Sequence, residues 1–278
     1  MKQRSRTWYA VISILVFVAI DHLGDLLHQF NLRRFMPWLF ILAIRNFLEV
    51  GTSIMGVMLA HRGGFKNALR ELGMAAPAGR GVAFSLIATA PMLIAFAFGS
   101  HLNPKMTFLS VAVGCFIAPF AEEVIFRAYL FKQLYQRGRW GFWLSALIPS
   151  VLFALGHVYQ SSNPMELLGI LAVTGVGSII GCWLFMRWQY NLWIVVSLHA
   201  AMNLWWEVFA VDDTALGGWL ANGARLLTIA CAILLTIFKD KFLPPLPPLP
   251  QAAGETRSDS AQDGPAGMSF ERWNLAAA

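Results

Sequence analysis

Apolar stretches of about 18 to 25 residues follow one another from Trp8 to Phe238, and each is long enough to cross a hydrocarbon layer about 30 Å thick. Backbone N–H and C=O groups that face lipid find no water, so such stretches must close their hydrogen bonds internally; the period-two alternation of a membrane strand is absent, which leaves helices. The composition agrees: 57% of the residues are hydrophobic, 13% are charged, and the mean hydropathy is +0.58. An ordinary soluble domain is excluded on that balance. A net charge of +6 points to topology rather than to nucleic acid, because the basic residues sit between the apolar stretches.

The reading is an all-α, polytopic membrane protein. Charged punctuation places about eight spans, near residues 8–28, 35–60, 81–100, 107–134, 140–159, 165–187, 191–211 and 222–238. The first follows Lys2, Arg4 and Arg6, and no small-residue cleavage site follows it, so it reads as an uncleaved membrane helix. With the amino terminus in the cytoplasm, thirteen Lys and Arg fall in inner segments against Arg33, Arg34, Lys105 and Arg225 outside. The positive-inside rule then puts both termini in the cytoplasm, in an inner or cytoplasmic membrane.

Phe65 to Met74 reads as a short amphipathic helix along the inner leaflet, Phe65, Leu69 and Leu72 on one side and Lys66 and Arg70 on the other. Residues 1–241 form the membrane domain, and 242–278 a disordered cytoplasmic tail. The stretch Pro244 to Pro250 favours polyproline II, a stiff linker rather than a docking site for an SH3-like partner. Cys115, Cys182 and Cys231 lie in separate apolar runs and read as small packing residues.

Against this apolar background three clusters stand out: Glu122-Glu123-Val-Ile-Phe-Arg127, Phe153-Ala-Leu-Gly-His157 and His199-Ala-Ala-Met-Asn203. An ionisable group inside a span is costly, so it signals function by default. Side chains four apart share a helix face; Glu123 therefore neighbours Arg127 as a supporting ion pair, while Glu122 points about 100° away and is left to act as a base. His157 has Phe153 one turn earlier, and His199 shares a face with Asn203. Hydrolysis of a peptide bond without a covalent intermediate needs a base for water and donors for the carbonyl oxygen. Glu122 with His157 answers the first need, His199 with Asn203 the second. Counting depth along the spans puts His157 and His199 at different levels, so convergence requires tilt or kinks.

In this order, Glu-Glu-x-x-x-Arg, Phe-x-x-x-His and His-x-x-x-Asn resemble the CPBP family of intramembrane endopeptidases, which includes the type II CAAX prenyl proteases and bacterial relatives linked to bacteriocin processing or immunity. The resemblance covers about Phe108 to Trp206. It implies eight helices around a conical cavity, Glu122 as the water-activating carboxylate, His157 as its partner, and His199 with Asn203 stabilising the oxyanion. The substrate it implies is a membrane-associated, possibly prenylated, peptide or protein.

Glu122, His157 and His199 could alternatively hold zinc with water as a fourth ligand, as in thermolysin-like enzymes. That would use the one obvious base, so the preferred reading has no metal and no other cofactor. Two rivals stand beside a peptidase: a binding or immunity protein on the same fold, and a proton-coupled transporter, for which inverted repeats are lacking. Among secondary features, Asp21, His22, Asp25 and His28 read as a hydrated helix end, Arg45 and Glu49 as a structural ion pair, and Gly175, Gly177 and Gly181 as a close-packing stripe. Pro119 and Pro149 are expected to kink their helices and free backbone groups. Trp205 and Trp206 read as interface anchors or cavity wall.

Overall fold

The computed structural model describes residues 5–242, apart from the side chains of Asp25, His28 and Phe242. The Pro-rich tail, with Pro244 to Pro250, lies outside the described residues. Among the described residues the fold has ten helices: α1 Arg6–Gln29, α2 Trp38–His61, α3 Phe65–Glu71, α4 Ala78–Ala88, α5 Ala90–Gly99, α6 Phe108–Arg137, α7 Phe142–Leu155, α8 Pro164–Arg187, α9 Leu192–Val208 and α10 Trp219–Phe242. No strand occurs among the described residues. Six of these segments are long and apolar enough to cross a membrane, and the protein is an integral membrane protein.

Two of the eight expected spans are not simple rods. The span near 81–100 is broken into α4 and α5, which meet at 44°. Pro91, in the first turn of α5, has no N–H to offer the preceding turn and its ring crowds the carbonyl four residues back, so a continuous helix cannot pass. Thr89 fills the break; fully buried, it donates its hydroxyl to Ser85 O at 2.8 Å and accepts from Trp205 Nε1 at 3.0 Å. The span near 191–211 is α9, of 17 residues, and at 1.5 Å per residue it reaches only about 26 Å.

The long helix α6 departs from α geometry. Val111–Ile117, Glu123–Phe131 and Gln133–Arg137 wind as wider π turns, with α turns at Ala118–Glu122 between the first two. Such turns are rare and gather at functional sites. Pro119 gives one a physical reason: Ala118 N bonds Val113 O, and the next carbonyl, that of Gly114, faces a proline without an N–H.

Most of the core lies between α6 and its neighbours, built on Tyr129, Phe131, Leu134, Phe185, Leu192 and Ile194. A smaller cluster joins Met92 and Phe96 of α5 to Ala221 and Ala224 of α10, and Met202, Trp205 and Trp206 pack against it. Trp206 meets Phe96 edge to face at 6.0 Å and carries the Arg225 guanidinium at 5.0 Å. Both tryptophans are therefore packing residues. Cys115, Cys182 and Cys231 are free thiols, the first two buried.

The short helix α9 is pinned at both ends. At its start the Asn191 side chain accepts from Trp193 N and donates to Pro77 O, while Trp193 Nε1 donates to Met74 O. Nearby, Gly81 lets α4 touch the α9 backbone: a Cβ there would stand 2.2 Å from Trp193 O. At its end Asn103 Nδ2 donates to Glu207 O, and Ser110 Oγ to Glu207 Oε1.

The predicted amphipathic helix is shorter than 65–74; α3 stops at Glu71, with Leu72 buried and Phe65 exposed. Arg137 bonds the Glu71 carboxylate at 3.1 Å, and Lys132 Nζ donates to the Glu71 carbonyl. Burial alone would push the Glu71 carboxyl up, yet the Lys132 and Arg137 cations hold it below its ordinary value.

Candidate active site

The three clusters meet where α6, α7 and α9 pack together. Glu123 is almost fully buried, its side chain 3% exposed, and its Oε1 lies 3.1 Å from Arg127 Nη1. The same oxygen is 2.9 Å from His199 Nδ1. A carboxylate paired with arginine can only accept, so Nδ1–H donates and the imidazole tautomer is set: Nε2 is left for the other side of the ring. There it faces Glu122 Oε2 at 3.7 Å. One imidazole thus stands between two adjacent glutamates, with Arg127 behind the buried one. Glu122 keeps 34% of its side-chain surface accessible, against 22% for His199.

His157 is placed differently from expectation. Helix α7 ends at Leu155, so His157 sits in the closing turn rather than on a helix face. Its Nδ1 is 2.8 Å from Phe153 O, a carbonyl left over at the helix end, and Nε2 is therefore its open nitrogen. Phe153 links the two histidines, its ring centroid 4.8 Å from that of His157 and 6.3 Å from that of His199. This shared ring answers the mismatch in depth along the spans. The imidazole beside Glu122 is nevertheless that of His199, not that of His157.

Asn203, one turn after His199, donates Nδ2 to Gly114 O at 3.2 Å. This is the carbonyl that Pro119 leaves without a helical partner, so Asn203 closes the gap opened by that proline. An amide nitrogen carries two hydrogens, and the second is not used by this bond. Pro149 is buried within α7, which runs unbroken from Phe142 to Leu155.

Among the described residues no group of three or more His, Cys, Asp or Glu is placed to hold an ion, and Glu122, His157 and His199 do not gather as one. Asp21 and His22 belong to no such group among the described residues, and the side chains of Asp25 and His28, expected in the same set, lie outside the described residues. Arg45 does pair with the buried Glu49, Nε to Oε1 at 2.7 Å, and lines a cleft between α1 and α2 with Trp38 and Arg33.

Two contributors escaped the sequence reading. Gly181 of α8, read there as part of a helix-packing stripe, lies against the Arg127 guanidinium. Gly114 supplies the carbonyl that occupies Asn203. The pairing of a proline with the residue five positions earlier is a signal for the second; nothing local signals the first.

Comparison with known proteins falls on this same segment. Residues 104–205 match the family model described as type II CAAX prenyl endopeptidase Rce1-like. A curated relative, "Putative membrane peptidase YdiL" of Bacillus subtilis (strain 168), is 30% identical over 95 residues, which is 34% of this chain and 34% of the relative. The match thus spans about a third of that relative's length. No solved structure matches the chain. Glu122, Glu123, Arg127, Phe153, His157, His199 and Asn203 all lie within the segment that matches the model of Rce1-like type II CAAX prenyl endopeptidases.

Proposed function

We propose that the protein is an intramembrane endopeptidase that hydrolyses a peptide bond of a membrane-associated substrate through water activated by Glu122. The observation that carries this reading is the bridge Glu122···His199···Glu123, backed by Arg127, on the one family-matched segment. Glu122 Oε2 and His199 Nε2 are 3.7 Å apart, too far to bond each other well and close enough for one water to donate a hydrogen to each. A water held so directs its lone pairs at an incoming carbonyl carbon.

The proposed reaction then balances simply. Glu122 takes a proton as the water oxygen bonds to the carbonyl carbon; the resulting oxyanion is met by hydrogen-bond donors, for which the second amide hydrogen of Asn203 and, with the ring as an imidazolium, His157 Nε2–H are the candidates. Collapse breaks the C–N bond, and the proton returns from Glu122 to the leaving amine. Arg127 and Glu123 touch no substrate in this scheme; they orient His199. The family match supports a CAAX-type, prenylated protein or a related membrane peptide as the substrate, and the bias of basic residues supports cytoplasmic termini. No step is routed through a metal.

Peptide cleavage by the purified protein, compared across wild type, Glu122→Gln and chelator-treated samples, tests the reading. Wild type is expected to cleave, Glu122→Gln to lose about 10³-fold or more, and strong chelator to leave turnover in place. Turnover lost to chelator and restored by zinc would overturn the metal-free mechanism. An unchanged biological effect in Glu122→Gln would instead favour a binding role.

A further inference from the structure

The buried guanidinium of Arg127 occupies a slot whose walls come from two other helices. On one side the Phe153 ring of α7 lies 4.7 Å from Cζ. On the other is Gly181 of α8, where a Cβ would stand 3.1 Å from Nε, 3.3 Å from Nη2 and 3.5 Å from Cζ. A methyl group there would force the guanidinium to shift by a few tenths of an ångström. With Phe153 opposite and only 4% of the Arg127 side chain exposed, that shift must change its approach to Glu123. The neighbouring glycines differ: Gly177 has nothing within 4 Å, and Gly175 first meets Ala154 Cβ at 3.6 Å. One member of the stripe therefore faces the site rather than a neighbouring backbone.

We propose that Gly181 is a positioning residue, its missing side chain setting where Arg127 holds Glu123 and thereby aiming His199 Nε2 at Glu122. The kinetic part of its test rests on the proposed peptidase reading; the structural part does not. In the full-length protein, Gly181→Ala is expected to lower kcat about tenfold with KM within about twofold, because a small misplacement of an orienting group is felt in the transition state. Gly177→Ala, on the same helix and facing open space, is expected to match wild type. Independently, the chain has six histidines, and ¹⁵N-labelled imidazole spectra, with His199 assigned through His199→Gln, report the Nδ1 bond to Glu123 directly. Gly181→Ala is expected to move both His199 ring resonances, and Gly177→Ala to leave them in place. Equal spectra for the two alanine variants would overturn the proposal even if both cleave peptide. A wild type that cleaves nothing would sink the peptidase reading while the spectra still decide the slot. Should Gly181→Ala fail to fold, the Arg127→Lys background carries the test: lysine lacks the planar fork that meets Gly181, so adding Gly181→Ala there is expected to leave His199 unmoved, and a further displacement would overturn the inference.

Discussion

Glu123 is buried in the folded chain and shares one oxygen between Arg127 and His199, whereas Glu122 keeps a third of its surface accessible. Adjacent residues of one type thus acquire different jobs from the two sides of α6 they face. Glu123→Gln is expected to reduce turnover about a hundredfold without abolishing it, because the amide can present its nitrogen to His199 and disturb the tautomer. It should also destabilise the fold by about 3 kcal/mol, since Arg127 is left as a buried cation without its partner. Kinetics together with thermal denaturation separate this from Glu122→Gln, which should lose turnover with little loss of stability. Asn203→Ala should cost about a hundredfold in kcat, in line with one lost oxyanion donor, and about 1 kcal/mol of stability from the uncapped Gly114 carbonyl. A stability loss with no change in kcat would reduce Asn203 to a structural cap.

At the scale of elements, the site depends on two devices that hold its helices in place. The first is the intimate crossing of α4 and α9 at Gly81, where an alanine would push against the Trp193 carbonyl at the start of the helix bearing His199 and Asn203. Gly81→Ala is expected to destabilise by about 1 to 3 kcal/mol and to lower activity with it, measured by denaturation midpoint and cleavage rate. The second is the docking of α3 through Glu71 to Lys132 and Arg137. The Glu71 carboxyl is held below its unfolded value of about 4.3, so its contribution is complete above that pH and disappears as pH falls through the lower, folded value. Glu71→Gln should therefore be less stable than wild type at pH 7, by about 2 kcal/mol, with the difference closing below about pH 4. A difference that persists in acid would show that the carboxylate charge is not what matters.

Across the whole molecule the number of crossings decides which way the chain faces. Six helices pass on length and hydropathy, α4 and α5 together make a seventh, and α9 is the eighth segment. An even number places both ends on the same side, and an odd number places them on opposite sides. The bias of basic residues toward one set of connecting segments favours the even count with cytoplasmic ends. Single cysteines at Ser5 and Lys241, in a background without the three native thiols, are expected to react with an impermeant reagent from the same face. Labelling from opposite faces would mean that α9 enters the bilayer without crossing it.

The residues themselves decided the class of fold and marked the candidates for the site: long apolar stretches in lipid have one way to close their hydrogen bonds, and ionisable groups inside them have few innocent reasons to be there. Spacing of four along a helix was also enough to pair Glu123 with Arg127, since that contact lies within one turn. What the chain did not carry locally was which histidine stands beside Glu122, because that choice is made by the ends of helices: α7 stops before His157, and the short, doubly pinned α9 brings His199 in. The same holds for Gly181 and Gly114, whose roles come from atoms tens of residues away and exist only once α6, α8 and α9 are packed. Local pattern determines what a segment becomes; distant contacts determine which of its polar atoms remain free to react.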